Sequence, residues 1–162
     1  MASKLIHFGT NRETKYNPSG VLIPVGLEFH LNVGGGTTIA TTGNTDLTVV
    51  VPFAGVLTAV YFIGEDALAA NDTNYVTWTI TNKGTGGAGS TAMLAATDPN
   101  TTKATGGSAI GALDARALTV HGTAANLVVA AGEGLLIRAA ATGTLANVVD
   151  RTGYTLVIRR AA

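Results

Sequence analysis

Residues 21–32 alternate more strictly than any other stretch of the chain. Val21, Ile23, Val25, Leu27, Phe29 and Leu31 share one parity, while Leu22, Pro24, Gly26, Glu28, His30 and Asn32 share the other. A period of two puts one set on each side of a pleated strand, so the run predicts a strand with one apolar face. Pro24 has no N–H to give to a ladder, which predicts a place on a sheet edge.

The rest of the chain repeats this pattern in shorter pieces. Residues 75–82 alternate again, with Val76, Trp78 and Ile80 on one side and Tyr75, Thr77, Thr79 and Thr81 on the other. Tyr154, Leu156 and Ile158 alternate with Thr155, Val157 and Arg159 near the end. Residues 56–63 are apolar on both parities and predict a central strand covered on both faces. Shorter strands are expected at 47–51, 90–96, 118–121, 126–130, 134–139 and 147–150. Loops are expected at 34–45, 64–74, 84–89 and 98–107, with one helical turn at 67–70. Turn signals recur about every 8–12 residues, and no amphipathic helix exceeds two turns. The expected fold class is all-β: an antiparallel sandwich of two packed sheets with about nine strands. Residues 1–19 break the pattern. Lys4, Arg12, Glu13, Lys15 and Tyr16 cluster there, and Asn17-Pro-Ser-Gly20 closes the stretch with a turn signal. It reads as a frayed terminus or as an extended N-terminal arm, followed by one sandwich domain at 20–162.

Composition narrows the function. The chain has 162 residues, enough for a single domain with a real core. Only 12% of residues are charged and the formal net charge is zero. A nucleic-acid partner held through phosphates needs a clustered positive surface, so none is expected. No apolar run approaches the ~18–20 residues of a helical membrane span, and no membrane partner is expected. The first residues lack the long apolar stretch of a secretory signal. The chain has no Cys, which removes disulfides, thiolate metal sites and thiol nucleophiles together. Ala, Gly and Thr supply close to half of the chain. A free monomer is ordinarily kept in solution by charge, so a surface this bland suits a subunit packed among other subunits.

The motifs that carry chemistry elsewhere are weak here. Gly84-Thr-Gly86-Gly87-Ala-Gly89 has the spacing of a dinucleotide fingerprint, but no helix pattern follows it, and a hairpin loop is expected. His7, His30 and His121 lie in three separate segments without metal-ligand spacing, although His30 and His121 could meet across a sheet. Glu65, Asp66 and Asp72 could offer oxygen ligands to calcium, or simply be a solvated loop. Asn71-Asp-Thr73 and Asn100-Thr-Thr102 have the form of glycosylation sequons. Trp78, the single tryptophan, shares its parity with Val76 and Ile80 and belongs to the expected core. Arg159 and Arg160 could reach a partner carboxylate or solubilise the tail. No catalytic residue, cofactor or metal is expected.

From residue 46 to 160 the chain resembles the small jelly-roll decoration, or cement, proteins of tailed bacteriophage heads. The resemblance lies in phrases that occur in order: Val50-Val-Pro-Phe-Ala-Gly55 running into Leu57-Thr-Ala-Val-Tyr-Phe62, then Asp72-Thr-Asn-Tyr-Val76 and Thr81-Asn-Lys-Gly84. Asn126-Leu-Val-Val-Ala-Ala-Gly-Glu-Gly-Leu135 and Thr142-Gly-Thr-Leu-Ala146 follow. It implies a jelly-roll sandwich on the outer capsid surface of a virion, often a homotrimer, that clamps neighbouring copies of the major capsid protein against internal pressure. It also implies a terminal arm that reaches to the lattice or the next protomer. The candidate partner contacts are then Lys4, Arg12, Lys15, Tyr16, Arg159 and Arg160. A phage fibre, tail or head-fibre module that recognises a host-surface glycan is the alternative, and an exposed aromatic cluster would mark it. A metal-dependent enzyme on a jelly-roll scaffold would instead need histidines and a carboxylate converging in the barrel mouth.

Overall fold

A computed structural model of the chain describes residues 14–16, 22–24, 28–96 and 98–160. Two short strands, β1 (Thr14–Tyr16) and β2 (Leu22–Pro24), pair antiparallel with each other as a separate hairpin. Nine further strands form the body: β3 (Glu28–Ile39), β4 (Gly43–Val50), β5 (Gly55–Ile63), β6 (Tyr75–Gly84), β7 (Thr91–Ala92), β8 (Arg116–Leu118), β9 (Val128–Val129), β10 (Gly134–Thr142) and β11 (Val149–Arg160). One sheet has the order β3-β11-β5-β8, with β9 also on β5, and the other has the order β4-β10-β6-β7. Every pairing is antiparallel. From β3 onward the chain crosses between sheets so that its first and last long strands lie side by side, as do β4 and β10. This is the interleaved order of a jelly roll. The molecule is therefore the all-β sandwich expected from the alternation.

The core forms where the two inner faces meet. Leu57, Val60 and Phe62 of β5 and Tyr154, Leu156 and Ile158 of β11 line one side. Val76, Trp78 and Ile80 of β6 and Leu135, Ile137 and Ala139 of β10 line the other. Trp78 is 1% exposed, and the Phe62 ring lies 4.8 Å from it and 5.3 Å from Tyr154, so one tilted aromatic cluster ties the two layers together. The rich supply of Thr and Val suits these half-buried pleated surfaces.

The edge beside β6 is closed by polar groups. A short 3-10 turn at Asp98–Asn100 buries Asn100, whose side chain donates to Ala95 O (3.2 Å) and Thr119 O (2.9 Å) and accepts from Thr119 N (2.7 Å). Thr101 and Thr102, both buried, bond the backbone of Val76 through their hydroxyls. The Arg116 guanidinium donates to the carbonyls of Ser108, Pro99 and Thr101 and lies 5.6 Å above the Trp78 ring. Burial lowers its pKa from the ordinary arginine value.

Four expectations are corrected. The strand expected over 21–32 is divided between two sheets, since β2 pairs with β1 whereas β3 lies at the edge beside β11. Phe29, Leu31 and Val33 still face inward, opposite Ile158, Leu156 and Tyr154. The loop expected from residue 34 is strand through Ile39, because Gly34 and Gly36 adopt φ of +105° and +112° and let β3 bulge instead of ending. A Cβ on Gly34 would stand 2.9 Å from Thr152 O, so this close crossing needs glycine. The segments at 147–150 and 154–160 are one strand, β11, kinked at Arg151 with φ +47°. Residues 67–70 form no helical turn; Leu68 bridges Ile110.

Candidate functional site

Since the inner faces make the core, any partner must meet the outer faces, the edges or the loops. The outer face of the β4-β10-β6-β7 sheet follows from the register. Its rows are Thr48-Leu136-Thr81, Asp46-Arg138-Thr79 and Asn44-Ala140-Thr77. Small and hydroxyl side chains dominate. Two of its charges pair: Arg138 Nε and Nη2 each donate to an Asp46 carboxylate oxygen at 2.7 Å. That bidentate bond holds the Asp46 carboxyl below its usual pKa and raises that of Arg138. The face is polar and sparsely charged, with Lys83 on the same side of β6 and Lys103 over the Tyr75 ring.

The outer face of the β3-β11-β5-β8 sheet is graded along its strands. At one end Arg159 stands opposite Glu28 and Val56. About 13 Å away, four residues back along β11, Thr155 stands between Asn32 and Tyr61. Beyond it come Gly153 and Ile63. Tyr61 and Ile63 are 42% and 40% exposed, so β5 is not covered on both faces as its composition predicted. Leu113 joins them by donating its N–H to Gly64 O at 2.9 Å, just past the end of β5.

Leu113 is 67% exposed and has φ of +60°. The left-handed region costs a residue with a Cβ about 1–2 kcal/mol. Two backbone bonds hold it there, Leu113 N to Gly64 O at 2.9 Å and Asp114 N to Gly111 O at 3.3 Å, while most of its apolar side chain stays in water. A strained, exposed apolar residue bonded to the end of a strand that also exposes Tyr61 and Ile63 has the marks of a contact surface. Arg151 and Glu65, bonded at 3.1 Å, add a polar pair in the same region, where Glu65 N also bonds Asp150 O.

At the loop end of the sandwich, residues 67–69, Asn71, Asn74, 109–111 and 144–147 surround a cleft of about 450 Å³. Its walls are mainly apolar, with Leu68, Ile110 and Leu145 at the base. Two of its asparagines are already engaged: Asn71 Oδ1 accepts from Thr73 N and Asn74 N, and Asn74 Oδ1 accepts from Thr144 N. They hold the loops in place and bring no ionisable group to the cleft.

The residues singled out in the sequence are widely spread. Lys4, Arg12 and His7 lie outside the described residues. Lys15 and Tyr16 belong to β1, of which only the backbone is described. Arg159 is exposed on the outer face, at the end away from Tyr61, and Arg160 follows it opposite Gly55. His30 and His121 do not meet: β3 and β8 are opposite edges of one sheet, and His121 bonds Thr123 N and Asn126 in its own loop. Among the described residues no three His, Cys, Asp or Glu side chains gather as metal ligands. Asp66 accepts from Asp150 N, and Asp72 accepts from Thr105 N, which lowers the Asp72 pKa. The 84–89 loop joins β6 to β7 and is followed by no helix. Asn100 of the second sequon is buried.

No family model, no curated protein and no solved structure matches this chain. Its surfaces must therefore be interpreted from their own chemistry.

The Tyr61-Ile63-Leu113 patch was not singled out by the sequence. Residues 56–63 show no parity difference, so the exposed side of β5 carries no polar signal. Leu113 sits in Gly-Ala-Leu-Asp-Ala without periodicity, and its positive φ has no glycine or asparagine to announce it.

Proposed function

We propose that this protein is a non-enzymatic structural component of a bacteriophage virion that binds the outer capsid surface and clamps neighbouring capsid subunits. The observation that carries the reading is Leu113, kept exposed and at positive φ where its N–H bonds Gly64 O, at the end of the strand that exposes Tyr61 and Ile63. The jelly-roll layering and the sparsely charged outer faces support it. So does the resemblance in residues 46–160, which adds the homotrimer and the major capsid protein as partners. Each copy binds weakly through apolar and hydroxyl contacts. Several footholds in one oligomer then raise the effective concentration and give a durable hold.

The test is attachment to purified capsids, followed by sedimentation and imaging of the particles. The wild-type protein is expected on the outer surface, and Leu113→Gly is expected to bind about tenfold more weakly, since a buried leucine contributes roughly 1.5–3 kcal/mol. The same variant is expected to unfold at higher urea, by up to about 1 kcal/mol, because glycine tolerates the left-handed region. Failure of the wild-type protein to sediment with capsids, or its capture by host-surface glycans instead, overturns the reading.

A further inference from the structure

The edge of a sheet presents free N–H and C=O groups that can capture another strand, and proteins blunt such edges. Three of the four edges here are blunted. β7 has two residues. The edge beside β5 is divided between β8, with three residues, and β9, with two. β3 is bulged at its glycines, and its register with β11 shifts twice. Among the described residues β4 has none of these devices. It keeps unbroken register with β10 from Val50 to Gly43, contains neither Pro nor Lys, and has its one charge, Asp46, neutralised by Arg138 within the sheet.

The direction of its free groups can be worked out. Val51 donates to Glu133 O and accepts from Gly132 N, so its backbone points toward β10. Alternation then points Thr45, Leu47 and Val49 the same way, and turns the N–H and C=O of Asn44, Asp46, Thr48 and Val50 to the open side. Along that side the core is also incompletely sealed. Leu47 and Val49 of β4 and Leu31 and Val33 of β3 are only half-buried, and inward-facing Phe29 is 37% exposed. One strand further in, Leu135 and Ile137 are 0% and 1% exposed.

We propose that β4 is a pairing edge for β4 of a second copy of this chain, antiparallel across a two-fold axis at Leu47. A two-fold centred on any residue keeps the inward side chains inward, and the three nearest the middle of residues 44–50 of β4 pair the most residues. A two-fold at Asp46 sets two carboxylates opposite each other. A two-fold at Thr48 leaves Asn44 without a partner. A two-fold at Leu47 pairs Asn44 with Val50 and Asp46 with Thr48, in both directions, so all four outward N–H groups of each copy meet carbonyls of the other. It also brings Leu47 against its symmetry mate and Val49 beside Thr45, which closes the open side with like surface. The contact is isologous, as a two-fold requires. It does not depend on the capsid reading: a two-fold edge can join two single chains or two trimers.

The experiment measures mass by light scattering over a dilution series, together with amide hydrogen exchange at residues 44, 46, 48 and 50. The expected mass is an even multiple of the 16.3 kDa chain, with those four amides slow when associated and fast on dilution. Thr48→Pro removes an outward N–H and no bond to β10, so it is expected to halve the mass while the β-sheet circular dichroism remains. Val50→Lys, at a 63% exposed position on the same edge, provides a second variant with the same expected outcome. A wild-type mass of one or three chains overturns the proposal. Slow exchange of the four amides in a single-chain species also overturns it, because the chain then covers its own edge.

Discussion

Asn100 is completely buried, yet each of its polar atoms is used: the amide nitrogen serves two carbonyls and the oxygen takes the Thr119 N–H. Truncation would leave Ala95 O and Thr119 N without those partners at the edge of the core, while Thr119 O keeps the Ala95 N–H. Asn100→Ala is therefore expected to cost about 2–3 kcal/mol, read as a fall in melting temperature of about 4–12 °C. A shift under one degree would mean that water replaces the side chain there. The sequence could not disclose this role. Asp98-Pro-Asn100 has only the composition of a turn, and its contacts come from residues 5 and 19 positions away. Trp78 was legible for the opposite reason. Its parity with Val76 and Ile80 is local, and the pleat converts parity directly into burial.

Among elements, the turn between β9 and β10 shows how one carboxylate fixes a connection. Glu133 Oε2 accepts from Ala130 N at 2.8 Å and from Asn82 Nδ2 at 2.7 Å. The backbone bond to Ala130, then the Asn82 amide, hold the Glu133 carboxyl below its ordinary pKa. Asp46 is lowered as well, first by its hydrogen bond to Arg138. A carboxyl whose pKa is depressed by folding contributes stability above its unfolded value, near 4, and loses it as pH falls through the folded value. Urea unfolding is expected to show falling stability below about pH 4, with a smaller drop between neutral and acid pH in Glu133→Gln. An equal drop in both proteins would assign the acid limb to other carboxylates. Element boundaries were legible where strands are regular, as in β6 and β10. They were hidden where backbone irregularity continues a strand: the glycine bulges prolong β3, and the positive φ of Arg151 carries β11 past what reads as a turn.

At the scale of the molecule, every described strand of both packed sheets lies at or after Glu28, and among the described residues β1 pairs only with β2. The alternation made two sheets legible, but their interleaved order depends on pairings such as Leu156 with Leu31 and Val60, which no local pattern encodes. This arrangement separates folding from attachment. Deleting residues 2–19 removes β1 and leaves the sandwich strands whole, so the melting temperature is expected to change by about 2 °C or less. If the first segment is a foothold of the clamp, the same deletion removes one of several linked contacts, and occupancy on purified capsids is expected to fall about tenfold or more. Unchanged occupancy would take the segment out of the mechanism and leave the Tyr61-Ile63-Leu113 surface to hold the capsid. A large loss of melting temperature would instead show that residues 2–19 support the sandwich, and their effect on binding would follow from stability.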